Sequence, residues 1–286
     1  MPETLRIAVQ KSGRLYEGSM KLLKECGIEV SNGNNQLRVI AANFPVEIFF
    51  LRDDDIPEYV QDAVADIGFV GENVVKESNK HTDTIEKLGF GKCRLSIAVP
   101  KNDDWKSIND LNGKKIATSY PFILSAFLKE KNITASIHEI SGSVEIAPKI
   151  GLADVICDLV SSGSTLFTNE LKEIETILFS EAVLISNQSL TIEKRTILES
   201  LLFRIRSVKK ARNNKYVLLN APNDKLETIC HLLPGMRSPT ILPLAEPGWS
   251  SVHSVINEND FWNVIEQLKI NGAQGILIIP IEKMIV

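Results

Sequence analysis

Two sets of residues in this chain have types and spacing that could do chemistry. The first is the stretch Asp158-Leu159-Val160-Ser161-Ser162-Gly163-Ser164-Thr165. There an apolar run carrying a carboxylate gives way to four hydroxyl residues and a glycine within five positions. If this is a strand passing through a loop into a helix, the unpaired amides and partial positive charge of the helix start face the loop. The hydroxyls of Ser161, Ser162, Ser164 and Thr165 add donors, and Gly163 permits a tight turn and the close approach of an anion. Such a stretch is a phosphate cradle. It is not a Walker loop, because G-x-x-x-x-G-K-[ST] is absent and no lysine lies in the loop. Asp154 and Asp158 are four apart on the preceding strand and share a face if that strand is regular. A carboxylate beside a phosphate is unfavourable unless it accepts hydrogen bonds from sugar hydroxyls or helps to hold Mg²⁺. Carboxylate followed by phosphate loop therefore points to a ribose 5-phosphate group. The competing structural reading is a helix start capped by serines. A serine nucleophile is disfavoured, since there is no G-x-S-x-G elbow and the four histidines form no triad pattern.

The second set is three short charged stretches, each following an apolar run. QKSGRL (10–15) carries Lys11 and Arg14, LRDDDIP (51–57) carries Arg52 and three aspartates, and GENV (71–74) carries Gly71 and Glu72. Singly, each could be an ordinary polar loop. Together they put cations and carboxylates at one edge of one sheet, where Lys11, Arg14 and Arg52 would suit a polyphosphate. Arg94 in GKCRLS and Tyr120 in ATSYP fall near the expected junction of two lobes. Tyr120 could stack on a base or serve as a hinge or core residue.

The elements that must position these residues alternate between β-rich runs and helical patterns. Strands are expected at 5–9, 46–51, 66–71 and 93–100, with helices at 15–26 and 56–64. A second series follows, with strands at 114–119, 135–140 and 154–160. Its helical segments lie at 121–131, which has Pro at its first turn, and at 143–150. The run 177–186 would return the chain to the first series. This is a two-lobed α/β arrangement with largely parallel sheets, whose ligands collect at the carboxyl ends of the strands. The first lobe is expected over 1–100 with 180–210 and the second, holding the serine-glycine loop, over 101–179. A long amphipathic helix over 191–214 leads to a boundary near 211. Residues 211–286 then read β-α-β-β-α-β, the split βαβ, ferredoxin-like arrangement.

The composition is that of an ordinary soluble protein: 286 residues, 44% hydrophobic, 24% charged, formal charge −4. The acidic balance argues against a general nucleic-acid binder. No apolar run approaches the ~20 residues of a membrane helix, and no signal peptide is evident. Cys26, Cys93, Cys157 and Cys230 form no C-x-x-C pair and read as reduced thiols of a cytoplasmic protein.

QKSGRL, RDDDIP, GENV, CRLS, ATSYP, GSVE, GLADVICDLVSSGSTL and SPTILPL, in this order, together with the closing ILIIPIEKM, closely resemble the long form of ATP phosphoribosyltransferase over essentially the whole chain. The resemblance implies a periplasmic-binding-protein-like (type II) catalytic core, followed by a regulatory domain that binds L-histidine as feedback inhibitor. The activity it implies opens histidine biosynthesis: ATP and 5-phosphoribosyl 1-pyrophosphate (PRPP) give N1-(5-phosphoribosyl)-ATP and pyrophosphate, with Mg²⁺ bound mainly through substrate phosphates. It also implies that Asp158 and Asp154 face the ribose hydroxyls and that Ser161, Ser162, Gly163, Ser164 and Thr165 hold the 5-phosphate. Glu145 of GSVE would meet the ribose or metal. Lys11, Arg14, Arg52 and Arg94, with Gly71 and Glu72, would serve ATP and the phosphate groups, and Tyr120 the adenine region. The catalytic set is then Lys11, Arg14, Glu145 and Asp158. Histidine contacts carry over onto Asn220, Met236, Thr240 and Gly275, and the resemblance implies homo-oligomers that shift between dimers and hexamers. The rival from another class is a two-lobed binding or sensing protein without turnover, which shares the architecture.

Overall fold

A computed structural model describes residues 3–31, 36–233 and 238–285. The chain divides into two compact units, Met1–Glu199 and Ser200–Val286.

The first unit holds two sheets. Its elements in chain order are β1 (Leu5–Gln10), α1 (Gly13–Glu25), β2 (Arg38–Ile40), β3 (Val46–Leu51), α2 (Ile56–Gln61), β4 (Ile67–Gly71), α3 (Glu72–Ser78) and β5 (Asp83–Lys87). There follow β6 (Cys93–Pro100), β7 (Lys115–Thr118), α4 (Pro121–Glu130), β8 (Ser136–Glu139), β9 (Val155–Val160), α5 (Ser164–Thr168), β10 (Leu171–Ser180) and β11 (Ala182–Ser186). The six-stranded sheet runs β2-β3-β1-β4-β11-β5 and the five-stranded sheet β10-β6-β9-β7-β8. Strands β1, β3 and β4 are parallel, as are β7, β8 and β9. The remaining pairings in both sheets are antiparallel. The parallel strands are continuous apolar runs, as strands covered on both faces must be: Leu5, Ile7, Ala8 and Val9 of β1 are all fully buried.

Two expectations need correction. The run 93–100 pairs with β9 and β10, so it belongs to the five-stranded sheet and the first lobe ends before it. An apolar run fits either sheet, and only its partners decide. The segment 177–186 does return the chain to the first sheet: it is the end of β10 and the whole of β11, and the passage falls at Glu181. The expected helix at 143–150 shrinks to one 3₁₀ turn, Val144–Ile146, because Pro148 has no N–H to continue it. Short strands β2 and β5 and helix α3 complete what the sequence pattern did not show.

Helix α6 (Ile192–Arg212) carries the chain from the first unit into the second. The two compact units divide at 199/200, inside this helix. The second unit then has β12 (Asn214–Pro222), α7 (Leu226–Leu232), β13 (Thr240–Pro243), β14 (Trp249–Asn257), α8 (Glu258–Ile270) and β15 (Gln274–Pro280). Its antiparallel sheet has the order β13-β14-β12-β15, the ferredoxin-like pattern expected of β-α-β-β-α-β. Val217, Leu219 and Ala221 of β12 are buried in one core with Ile229 of α7 and Phe261 and Leu268 of α8.

Candidate active site

Strand β9 delivers the serine-glycine loop. Asp158 lies directly across from Ser96 of β6, and the loop begins three residues later, past the strand's carboxyl end. Gly163 has φ +81°, a left-handed conformation that favours glycine, and stands at the N-cap of α5. Helix α5 has only five residues, so its dipole is small and the loop's own donors must carry an anion. Those donors are available. The amides of Ser162 and Gly163 and the hydroxyls of Ser161 and Thr165 meet no protein acceptor among the described residues. Ser162 and Ser164 bond each other, Oγ to Oγ, at 3.0 Å. The serine-capped-helix reading is thereby weakened: the N-cap residue has no side chain, and two of the four hydroxyls cap nothing.

Asp158 is partly buried, and burial pushes its carboxyl up to about 6. The N–H of Leu159, 2.7 Å from Oδ1, opposes this, while the negative charge of Glu145 adds to it. Glu145 sits on the single 3₁₀ turn Val144–Ile146 that packs against β9, so the two carboxyls share one neighbourhood. Asp154 does not join them. It precedes β9, and its Oδ2 accepts the N–H of Lys115 at 2.8 Å. At about 3.3 Å per residue, the length of the strand separates it from the loop.

The expected cations come from the carboxyl ends of β1 and β3. Lys11, Arg14 and Arg52 are exposed and make no ion pair among the described residues. Two cavities of about 490 and 480 Å³ lie along this edge. The first is lined by Arg14, Gly71, Asn73, Tyr120 and Ser161, among others. The second is lined by Arg52, Asp53, Asp54, Tyr120 and Gly142 with neighbouring residues. Tyr120 thus borders both, and its hydroxyl receives Asn73 Nδ2 at 3.2 Å. Tyr120, between β7 and α4, thereby ties the five-stranded sheet to α3 of the other sheet. Burial, and after it the charge of Asp158, raise its pKa above the usual phenol value.

Two expected ATP contacts are engaged elsewhere. Glu72 pairs with Lys76 at 3.1 Å and with Lys87 at 3.6 Å. Arg94 lies bidentate on Glu173, with Nε and Nη2 each 2.5 Å from a carboxylate oxygen. Gly71 lines the first cavity, and a Cβ there would lie 2.4 Å from Asn73 Oδ1, so glycine lets Asn73 fold back.

Sequence reasoning missed the residues that join the lobes. Asn73 exchanges hydrogen bonds with Ser180: its N–H meets Ser180 Oγ at 3.0 Å, and Ser180 Oγ donates to its Oδ1 at 2.8 Å. Glu77 accepts the N–H groups of Phe122 and Ile123 at 2.7 and 2.9 Å, capping α4 from the other sheet. The GENV motif contains Asn73 and was the available signal. Nothing local marked Glu77, Ser180 or Glu173.

In the second unit, Asn220 is paired with Ser251 across β12 and β14, and Thr240 with His253 across β13 and β14. These four lie on the face of the sheet opposite the helices. Gly275 adjoins Asn220, whose Nδ2 would be 3.4 Å from a Cβ there. Met236 lies outside the described residues. His253, which the sequence did not single out, bonds Tyr216 Oη through Nδ1 at 2.6 Å and Ser251 Oγ through Nε2 at 3.0 Å.

The sequence model of ATP phosphoribosyltransferase matches residues 52–207, and that of the HisG C-terminal domain matches 211–283. The chain belongs to the ATP phosphoribosyltransferase family. It is 60% identical to the ATP phosphoribosyltransferase of Cytophaga hutchinsonii, with all of both chains covered. It is 56% identical to that of Bacteroides fragilis, over 99% of this chain and 100% of the relative. Among solved structures it is similar to the ATP phosphoribosyl transferase (HisG:HisZ) complex from Thermotoga maritima, at TM-score 0.61 and 28% identity, over 71% of this chain and 99% of that one. A histidine kinase sensor domain with similarity to periplasmic binding proteins matches at TM-score 0.50 and 12% identity, over 72% of this chain and 90% of that one, which is a likeness of fold alone. No helix among the described residues is long and apolar enough to cross a membrane.

Proposed function

We propose that this chain condenses ATP with PRPP, giving N1-(5-phosphoribosyl)-ATP and pyrophosphate, the first step of histidine biosynthesis. Membership of the family carries the activity. The observation that carries the site is the loop Ser161–Thr165, where the amides of Ser162 and Gly163 and the hydroxyls of Ser161 and Thr165 meet no protein acceptor among the described residues, just after the partly buried Asp158. The 5-phosphate of PRPP occupies this loop, and Asp158, seconded by Glu145, accepts from the ribose hydroxyls. Adenine N1 attacks the anomeric carbon, the bond to pyrophosphate breaks, and its electron pair leaves with the pyrophosphate. Positive charge that builds on the ribose in the transition state is stabilised by the neighbouring carboxylates. Lys11, Arg14 and Arg52 gather the triphosphate and the leaving pyrophosphate, and Tyr120 with Gly71 borders the adenine. Alignment of the two substrates supplies much of the acceleration, and no covalent enzyme intermediate forms.

Among the described residues no group of three or more His, Cys, Asp or Glu side chains is placed to hold a metal ion. Mg²⁺ commonly takes one or two carboxylates plus substrate phosphates. Asp158, on β9, and Glu145, on the turn packed against it, are the carboxyls that would face the metal, and bound Mg²⁺ would neutralise charge on the pyrophosphate.

The second unit binds histidine as an inhibitor through Asn220, Thr240, Gly275 and Met236, the protein is cytoplasmic, and it assembles into dimers and hexamers. One assay tests the reading: protein, ATP, PRPP and Mg²⁺ are mixed and the absorbance of the modified adenine is followed, with and without histidine. Product that histidine suppresses is expected. Ligand binding without product would instead make this a two-lobed sensing protein.

A further inference from the structure

We propose that Glu173 and Arg94 are positioning residues that fix the first peptide of the phosphate loop. Arg94, on β6, was expected to face ATP. Its charge is instead matched within the protein. Glu173 Oε1 receives Arg94 Nε at 2.5 Å, Ser96 Oγ at 2.7 Å and Thr176 Oγ1 at 3.2 Å, while Oε2 receives Arg94 Nη2 at 2.5 Å. Residues three apart on a regular strand face opposite sides, so Glu173 and Thr176 could not normally meet. Strand β10 brings them together by a register shift between Glu173 and Glu175, which sets them opposite Ala98 and Ser96, two apart on β6. Hydrogen bonds from Arg94 first, and from Ser96 and Thr176 as well, hold the Glu173 carboxyl below the usual range, so it stays ionised as a base for the guanidinium.

The remaining arm of the fork reaches the loop. Arg94 Nη1 lies 3.4 Å from the carbonyl oxygen of Ser161. A trans peptide is planar, so holding this carbonyl toward Arg94 sends the Ser162 N–H of the same peptide the opposite way. That amide has no protein acceptor among the described residues and is one of the donors assigned to the 5-phosphate. The chain of contacts thus runs from β10 through Glu173 and Arg94 to an amide that meets substrate, and Arg94 itself need touch none. Lysine at position 94 could pair with Glu173 but could not fork to the carbonyl as well.

This inference rests on the reading of Ser161–Thr165 as the phosphate cradle, and the test separates the two. Steady-state kcat and the KM for each substrate are measured on the full-length protein for Glu173→Gln, Arg94→Ala, Arg94→Lys and Thr165→Val, with thermal midpoints. Glu173→Gln and Arg94→Ala are expected to raise the KM for PRPP about tenfold and leave that for ATP unchanged. Arg94→Lys should fall between Arg94→Ala and the unaltered protein. Arg94→Ala combined with Glu173→Gln should be no worse than Arg94→Ala alone, because both break one chain. A rise in the KM for ATP instead would make Arg94 a nucleotide ligand and overturn the proposal. So would a lowered thermal midpoint with both KM values unchanged. If Thr165→Val raises the KM for PRPP while Glu173→Gln and Arg94→Ala do not, only the positioning role is lost. If Thr165→Val also leaves it unchanged, the cradle reading and this inference fall together.

Discussion

At the carboxyl edge of the five-stranded sheet, Arg94 is matched by Glu173 and Asp158 is partly buried against β6, whereas at the edge of the six-stranded sheet Lys11, Arg14 and Arg52 are exposed, with no ion pair among the described residues. The first edge is built before any ligand arrives, with its hydroxyl and amide donors already spaced by Gly163. The second is a set of charges without a counter-ion among the described residues, and in the proposed function the substrate phosphates supply it. A sugar phosphate needs a shaped site, because its hydroxyls are recognised by directional hydrogen bonds. A polyphosphate needs positive charge that can follow a flexible chain, and exposed long side chains supply it.

The largest effect expected from breaking this contrast is at Asp158. In the proposed function Asp158 faces the developing cation; Asp158→Asn keeps the shape and removes that charge, so kcat/KM for PRPP should fall roughly 100-fold or more. Initial rates at fixed ATP measure it, and a change of only a few-fold would place the ribose elsewhere.

At the other edge, Arg14→Ala or Arg52→Ala should lower kcat/KM for ATP by about tenfold each. The loss should shrink as salt is raised, because exposed charges are screened over about 10 Å at 0.1 M ionic strength. Salt series on these variants beside Asp158→Asn sharpen the contrast: the arginine variants should converge on the unaltered protein, and the aspartate variant should not.

A smaller effect follows from pH. Asp158 titrates near 6 in the folded protein, above the ordinary carboxylate range, because burial disfavours its charge. The folded state therefore holds this proton more tightly than the unfolded chain. Its contribution to stability declines as pH rises from the ordinary carboxylate range through about 6. Ribose binding needs the ionised form and should strengthen over the same window. The phosphate's own ionisation near pH 6 is common to all variants. The difference between the unaltered protein and Asp158→Asn, in both thermal midpoint and PRPP affinity, therefore isolates Asp158. Parallel curves for the two proteins would remove the carboxylate from the account.

Much of this was legible in residue order. The strands β1, β3, β4, β7 and β9 are apolar runs that end in charge or hydroxyls, and those ends are where the site forms. The ferredoxin-like unit was readable because its two helices and four strands differ in period. What was not legible depends on partners distant in sequence. Whether Cys93–Pro100 joins one sheet or the other is set by β9 and β10. Asp154 and Asp158 look equivalent at a spacing of four, yet Asp154 lies before the strand starts and is spent on the Lys115 amide. Arg94 reads as a free cation until Glu173, 79 positions away, is placed beside it. Glu77 gives no sign that it caps a helix in the other sheet. Periodicity reports which face is buried; it does not report which charged groups neutralise one another.

The claim on which the rest depends is that Ser161–Thr165 holds the 5-phosphate of PRPP. Calorimetric titration of PRPP with Mg²⁺ into the full-length protein and its Thr165→Val variant, without ATP, tests it most directly. Valine keeps the shape of threonine and removes one hydroxyl that no protein group uses among the described residues. The account predicts that PRPP binds the unaltered protein and that the variant binds about tenfold more weakly. Equal affinity for the two proteins would contradict it.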